Sequence, residues 1–442
     1  MLFLSKKSSE IAPKKQPRLL NKNFLLFWQG QLVSSIGSHI SGVAVTLWIA
    51  ERTDSATLVG VTMTALLLPS IFIGPFAGVA ADQYSRKLII ILSDLFCSIL
   101  YSSIAVLFFF FPENYFLLFW GLFVLNLGES SCQAFGHPAM LAFIPDIVPR
   151  EKISVALSLE STSNNIVVML GKGIGGLLYR LVDLPFILVM NAVTFLCSAI
   201  SASFICETQE KSKGSVSVES FSFLKFVIPL KEGMMMIWNW KGLRAVILVN
   251  AVLAFLVQPV FVALPFYVKN HDYLNATSDW LGYMYMGLGA GTVVGNWLAS
   301  YLLQRNNAVV GVIVIICMLS LGCCYGALGF VKSPGGALLL LALAGCVAGI
   351  INIFFHVKSQ LSVPRNLRGR LVAFSTSLVF LFSPIGLGLG GVFIDLFEKK
   401  LNVIFWGCGA CMVLVSFSAL AVKDYRHFFL EEWFAGDEEN MG

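Results

Sequence analysis

Charge is what this chain has least of. Only 12% of its 442 residues are Asp, Glu, Lys or Arg, while 57% are hydrophobic and the mean hydropathy is +0.80. A soluble domain carries roughly 25% charge, so a water-soluble globule is excluded. Histidine is scarce, with five in the chain, and no His, Cys, Asp or Glu fall at metal-ligand spacing. No Walker A sequence occurs, because Gly171-Lys172 has neither the upstream glycine nor the following Ser or Thr that a phosphate cradle needs. Direct use of ATP, a metal centre and a soluble catalytic domain are therefore not expected, and no cofactor is implied. The ten cysteines lie in or beside apolar runs and read as soft packing residues rather than a disulfide framework. The net charge of +5 comes from cations flanking those runs, which argues against a nucleic-acid partner.

Long apolar runs dominate what is present. A spanning helix needs about 20 mostly apolar residues. Twelve such stretches are read at 24–50, 55–81, 87–111, 115–144, 152–181, 184–206, 242–268, 276–303, 307–331, 335–362, 367–396 and 401–422. With both termini cytoplasmic, 23 of the 30 Lys and Arg fall inside, in residues 1–22, 86–87, 150–152, 211–244, 305, 358–370 and 423–426. Outside fall only Arg52, Arg180, Lys269, Lys332, Lys399 and Lys400, and Lys172 is left within a span. This bias sets the orientation. The basic start of the chain has no small-residue cleavage site and reads as a retained cytoplasmic tail.

The longest connection, 207–241, begins polar and becomes amphipathic through Phe221, Leu224, Val227, Ile228, Lys231 and Glu232, as a linker helix on the membrane surface would. The expected organisation is a tail (1–22), a six-helix bundle (23–206), this linker, a second bundle (242–422) and a C-terminal tail (423–442). The two bundles repeat. Val148-Pro149-Arg150 recurs as Val363-Pro364-Arg365, offset by 215 residues, and in that register Gly171, Gly173, Gly175 and Gly176 meet Gly386, Gly388, Gly390 and Gly391.

One short loop organises the first bundle: Gly78-Val79-Ala80-Ala81-Asp82-Gln83-Tyr84-Ser85-Arg86-Lys87. Gly78 would let helix ends approach, Asp82 would cap the next helix, and Arg86 and Lys87 hold the loop inside. The pattern resembles the loop 2–3 signature of the major facilitator superfamily, G-x-x-x-D-[RK]-x-G-[RK]-[RK], with Gln83 and Ser85 departing from it. Gly171-Lys172-Gly173-Ile174-Gly175-Gly176 is similar to that family's antiporter motif G-P-x-x-G-G, with lysine in place of proline. The stretches 23–37, 145–157, 230–243 and 363–370 resemble the branch that holds macrolide efflux proteins, the enterobactin exporter and the lysophospholipid transporter. The resemblance implies an all-α integral membrane fold, with twelve transmembrane helices in two pseudo-symmetric six-helix bundles, and alternating access between the bundles. It also implies that Gly78, Asp82, Arg86, Lys87 and Asp94, with Arg150, Arg365 and Arg368 on the repeated loops, govern conformation rather than bind substrate. Asp94 is expected to hold the loop cations.

Intramembrane ionisable groups are functional candidates by default. Counted from the outer ends, Glu129 is about 21 Å deep and Lys172 about 15 Å deep at 1.5 Å per residue. Three roles are open to them: a switchable pair with Glu129 as proton carrier, a lysine that binds an anionic substrate, or a static packing pair. His39 follows a polar strip of Gln31, Ser34, Ser35 and Ser38, and is either a titratable group or a satisfied core histidine. Asn164 and Asn165, Gln258, Asn352 and His356 are further cavity candidates. Tyr283 to Met286 are an adaptable apolar surface or part of an interfacial belt.

The expected function is proton-coupled export of a bulky amphiphile, a drug or a siderophore, by a monomer in a bacterial inner membrane. Siderophore uptake and lysophospholipid flipping are alternatives on the same fold. A non-transporting membrane scaffold or sensor is the alternative of another class.

Overall fold

The computed structural model describes residues 21–205, 241–303, 307–361, 363 and 368–421. The two tails and nearly all of the expected linker lie outside them. Every long element among the described residues is an α-helix: α1 Lys22–Thr53, α2 Ala56–Ala65, α3 Leu68–Gln83, α4 Arg86–Phe110, α5 Tyr115–Ile147, α6 Ile153–Leu181, α7 Leu184–Ser203, α8 Lys241–Lys269, α9 Asp279–Leu302, α10 Asn307–Ala327, α11 Pro334–Leu361, α12 Arg368–Leu396 and α13 Leu401–Ala421. Helices suit this chain because lipid offers backbone groups no hydrogen-bond partners, so each segment must satisfy its own. Polar side chains begin several of them: Asn21, Ser55, Ser85 and Asn114 each accept a first-turn N–H.

Among the described residues, eleven segments are long and apolar enough to cross a membrane. The remaining expected span, 276–303, is the 24-residue helix α9, which has spanning length at about 36 Å but is diluted in apolar content by glycine, tyrosine and asparagine. The second expected span is broken. It consists of α2 and α3 with a turn at Leu66–Leu67. Pro69 is the cause: it has no N–H to offer the Ala65 carbonyl, and its ring crowds that carbonyl. Bulky apolar side chains such as Phe72, Leu92, Phe96, Ile99 and Leu414 are exposed, which places them on the lipid-facing surface.

Each packing of the first half recurs in the second. Helix α1 packs on α6 and α7, as α8 packs on α12 and α13; α4 lies on α5 and α7, as α10 lies on α11 and α13; α3 lies on α5, as α9 lies on α11. Two seams join the halves, α6 against α9 and α2 against α12. The glycine quartets build both, and each divides in the same way. A Cβ at Gly171 or Gly175 would lie 2.7 Å from His39 or 2.8 Å from the Ile40 carbonyl, both on α1. One at Gly386 or Gly390 would lie 2.6 Å from the Phe255 carbonyl or 2.7 Å from Pro259, both on α8. The other members face the opposite half: Gly173 and Gly176 meet Gly282 of α9, while Gly391 meets Ala56 of α2. The 215-residue repeat is thus a repeat of contacts.

At Gly176 the added Cβ would sit 2.6 Å from the Gly282 backbone nitrogen. Backbone cannot rotate aside, so Gly176→Ala is expected to cost about 1–3 kcal/mol through overpacking and to lower the thermal midpoint in detergent by several degrees. Gly407→Ala, where no atom lies within 4 Å, is expected to match or exceed wild type, because alanine favours helix.

The loop between α3 and α4 departs from expectation in three details. Ser85, not Asp82, caps α4, accepting from the Leu88 N–H; Asp82 is exposed in the last turn of α3, where its own helix holds it away from the next N-terminus. Gly78 has no neighbour within 4 Å, so no helix end approaches it in this conformation. Asp94 does not hold the loop cations. Arg86 donates to the Asp146 carboxylate and the Ala142 carbonyl, both at 2.9 Å, and Lys87 donates to the carbonyls of Ser203 and Ile205. Asp94 is seven residues further along α4, about 10 Å deeper, and its carboxylate accepts instead from Ser198 at 2.7 Å and Gln31 at 3.5 Å.

Candidate functional site

Several polar ties between the halves lie at the cation-poor end among the described residues. Asp395, in the last turn of α12, accepts from Ser55 Oγ at 2.9 Å and from the backbone N–H groups of Ala56 at 2.9 Å and Thr57 at 2.8 Å. It caps the first turn of α2 from the other half, where the helix dipole favours an anion. In the 215-residue register Asp395 corresponds to Arg180, and Arg180 binds Asp279, the first residue of α9, at 3.3 Å. At equivalent positions, each seam is therefore tied by a charged residue of one half to the start of a helix in the other: Asp395 through neutral donors of α2 and Arg180 through the Asp279 carboxylate. Lys269 pairs with Glu51, and Lys399 with Asp54. Four of the six cations expected outside are Arg180, Lys269, Lys399 and Arg52; the first three join the halves, and Arg52 lies over the Tyr115 ring. Further along the α2–α12 seam, the Thr64 side-chain hydroxyl donates to the Pro384 carbonyl at 3.0 Å.

Below the seams lies a cavity of about 490 Å³. Its wall runs along α1 from Phe27 to Thr46 and along α5 from Glu129 to Met140, with Glu160, Asn164 and Lys172 from α6 and Tyr285 from α9. It thus extends from mid-membrane toward the cation-rich end. Of the candidates read from sequence, Gln31, Ser34, Ser38, His39, Glu129, Asn164 and Lys172 line it. Asn165, Asn352 and His356 are exposed outside that wall, and Gln258 packs against Gly386 in the α8–α12 contact. Arg150 is exposed in the short 3-10 turn before α6. Arg365 lies outside the described residues, as does the side chain of Arg368.

Glu129 and Lys172 share the cavity but have separate partners. Glu129 is 7% exposed, and its Oε2 accepts from the Tyr101 hydroxyl at 2.6 Å. Ser41 lies 3.1 Å behind that hydroxyl and in turn accepts from Asn191 at 3.0 Å, so the carboxylate ends a buried polar chain through α4, α1 and α7. Lys172 Nζ lies 5.2 Å from the centre of the Tyr285 ring, across the boundary between the halves. No ion pair joins Glu129 to Lys172 among the described residues. Gln31 bonds Ser198 and Asp94 at the back of the wall, and Ser34 turns to its own helix, donating to the Gln31 carbonyl.

Several lining residues escaped the sequence reading. Gln133 and His137 follow Glu129 at four-residue steps along α5, a helical-face signal that was available. Tyr101 carried no such signal, because its importance comes from a neighbour on another helix. Trp28 lines the inner part of the wall, and its indole N–H is buried without a partner.

Two helical halves latched at one end around a mostly apolar cavity with a few polar groups define a multi-pass transporter architecture. The chain matches the sequence model of the Major Facilitator Superfamily over residues 27–387, and it belongs to that family. It is 24% identical over 412 residues to macrolide efflux protein A of Streptococcus pyogenes, covering 92% of this chain and 98% of that one. It is 25% identical over 421 residues to the multidrug efflux pump Tap of Mycolicibacterium fortuitum, covering 92% and 97%. Among solved structures, a bacterial homologue of the iron transporter ferroportin in its inward-facing state superposes with a TM-score of 0.69 at 14% identity, covering 91% of this chain and 99% of that one. The efflux-type branch expected from sequence is the one these relatives represent, and they are transporters rather than enzymes.

Proposed function

We propose that this protein is a proton-coupled exporter of amphiphilic small molecules, working as a monomer in a bacterial inner membrane with both termini cytoplasmic. The observation that carries the reading is the position of Glu129: a buried carboxylate at the wall of the cavity along α1 and α5, while the halves are latched at the cation-poor end. Under the positive-inside rule the cation-rich end is cytoplasmic, and the conformation is inward-open, ready to load from the cytoplasm. Residues 23–206 and 242–422 then act as the two rocking units, joined through 207–241. A cavity of this size, mostly apolar with a few converging polar groups, suits a drug-sized ligand.

The test uses everted membrane vesicles energised by respiration, with a panel of labelled dyes, macrolides and siderophores. Accumulation that a protonophore abolishes is the expected result. Exit of a preloaded compound under the same gradient would overturn export in favour of uptake, and gradient-independent lipid movement would favour flipping.

A further inference from the structure

Resting on that reading, we infer that the cavity selects amphiphiles carrying an anionic group, a carboxylate above all, and that Lys172 is the residue that receives it. Lys172 stands at a motif proline position among the close-packed glycines Gly171, Gly173, Gly175 and Gly176, and its long cationic side chain emerges at the cavity wall. Its ammonium lines the cavity. Among the described residues its one recorded partner is the face of Tyr285. That ring is buried and stacked on Phe261 at 6.2 Å, so it cannot follow a moving ligand. A ring face attracts a cation but satisfies none of the three N–H donors of an ammonium.

The nearby carboxylate does not fill the gap. Glu129 is occupied by Tyr101, and Glu160 stands twelve residues away on the same helix, about 18 Å along it. A cation in the wall of a cavity whose lining also holds Val43, Met63, Leu66 and Leu67 is costly without a counter-ion, and a ligand carboxylate supplies both the charge and the hydrogen-bond acceptor. The aromatic residues Phe27 and Trp28 line the inner reach of the same cavity, where an apolar tail would lie. Trp28 also offers an unpartnered indole N–H there.

The experiment compares two fluorescent probes that differ by one charge, dansylundecanoic acid and its methyl ester, with the purified full-length protein in lipid nanodiscs. The acid is expected to bind wild type roughly 10- to 100-fold more tightly than the ester, the range that charge-assisted hydrogen bonds cover. Lys172→Gln is expected to remove that preference while leaving ester affinity within about twofold, as for a lost polar contact in an intact apolar site. Lys172→Arg is expected to keep most of the preference, because the charge remains. Equal binding of acid and ester by wild type would overturn the inference, as would absence of acid binding or equal loss of both probes in Lys172→Gln. Running both probes in the energised vesicles separates the two proposals: uptake of the ester or of cationic dyes alone leaves export standing and removes the anion preference.

Discussion

Glu129→Gln is expected to abolish uphill transport while leaving the fold and downhill exchange intact. Glutamine has the shape of the acid and still offers an oxygen to Tyr101, whose hydroxyl donates to Glu129 at 2.6 Å, so the buried chain through Ser41 and Asn191 keeps its geometry. What it loses is the capacity to take up and release a proton. A gradient of one pH unit and 100 mV supplies about 3.7 kcal/mol per proton, enough for roughly 500-fold accumulation at one proton per substrate. In the variant the accumulation ratio is expected to fall to about one. Efflux from preloaded vesicles without a gradient is expected to remain within a few-fold of wild type, since the cavity and its latches are untouched. Protonophore-sensitive accumulation by Glu129→Gln at the wild-type level would sink the assignment.

Asp395→Ala is expected to release the outer latch and shift the conformational equilibrium toward opening at that end. Three donors of α2 converge on one carboxylate at 2.8–2.9 Å, and hydrogen bonds to charged groups contribute about 1.5–3 kcal/mol each. Losses within one cluster are not additive. A net effect of about 2–4 kcal/mol corresponds to roughly a 30- to 1000-fold change in the ratio of the two states. Hydrogen exchange measured over residues 277–282, on the other seam, reads this without interference from the deleted bonds themselves. Faster exchange there, together with lower substrate retention, is the expected outcome. Exchange confined to residues 55–58 would mean that Asp395 is a local helix cap and no more. Arg180→Ala acts on the equivalent seam but breaks a single, half-exposed pair, so its effect is expected to be smaller.

The helical membrane architecture and its internal repeat were legible in the sequence, because hydropathy, charge bias and glycine spacing are patterns along the chain. The glycine quartets matched at a fixed offset, and their contacts divide identically between neighbours in the two halves. The break at Leu66–Leu67 was less legible: an apolar run conceals it, and only the missing donor of Pro69 marks the place. Half of the candidate wall was legible too, since Gln31, Ser34, Ser38 and His39 share one helix. The failures involve partners. Asp94 and Arg86 were joined by proximity in sequence, but Ser198 and Asp146, which they bind, are more than fifty residues away in the chain.

The sequence by itself therefore determined the membrane class, the order of helices, the repeat and the family, since each rests on local composition or on periodicity. Only the tertiary structure decided where the latches between the halves lie, that Asp395 caps a helix 339 residues away in sequence, and that Glu129 answers to Tyr101 while Lys172 faces the cavity beneath an aromatic ring. Those outcomes depend on which helix faces are brought together when the halves pack, and no single helix records the face of its partner.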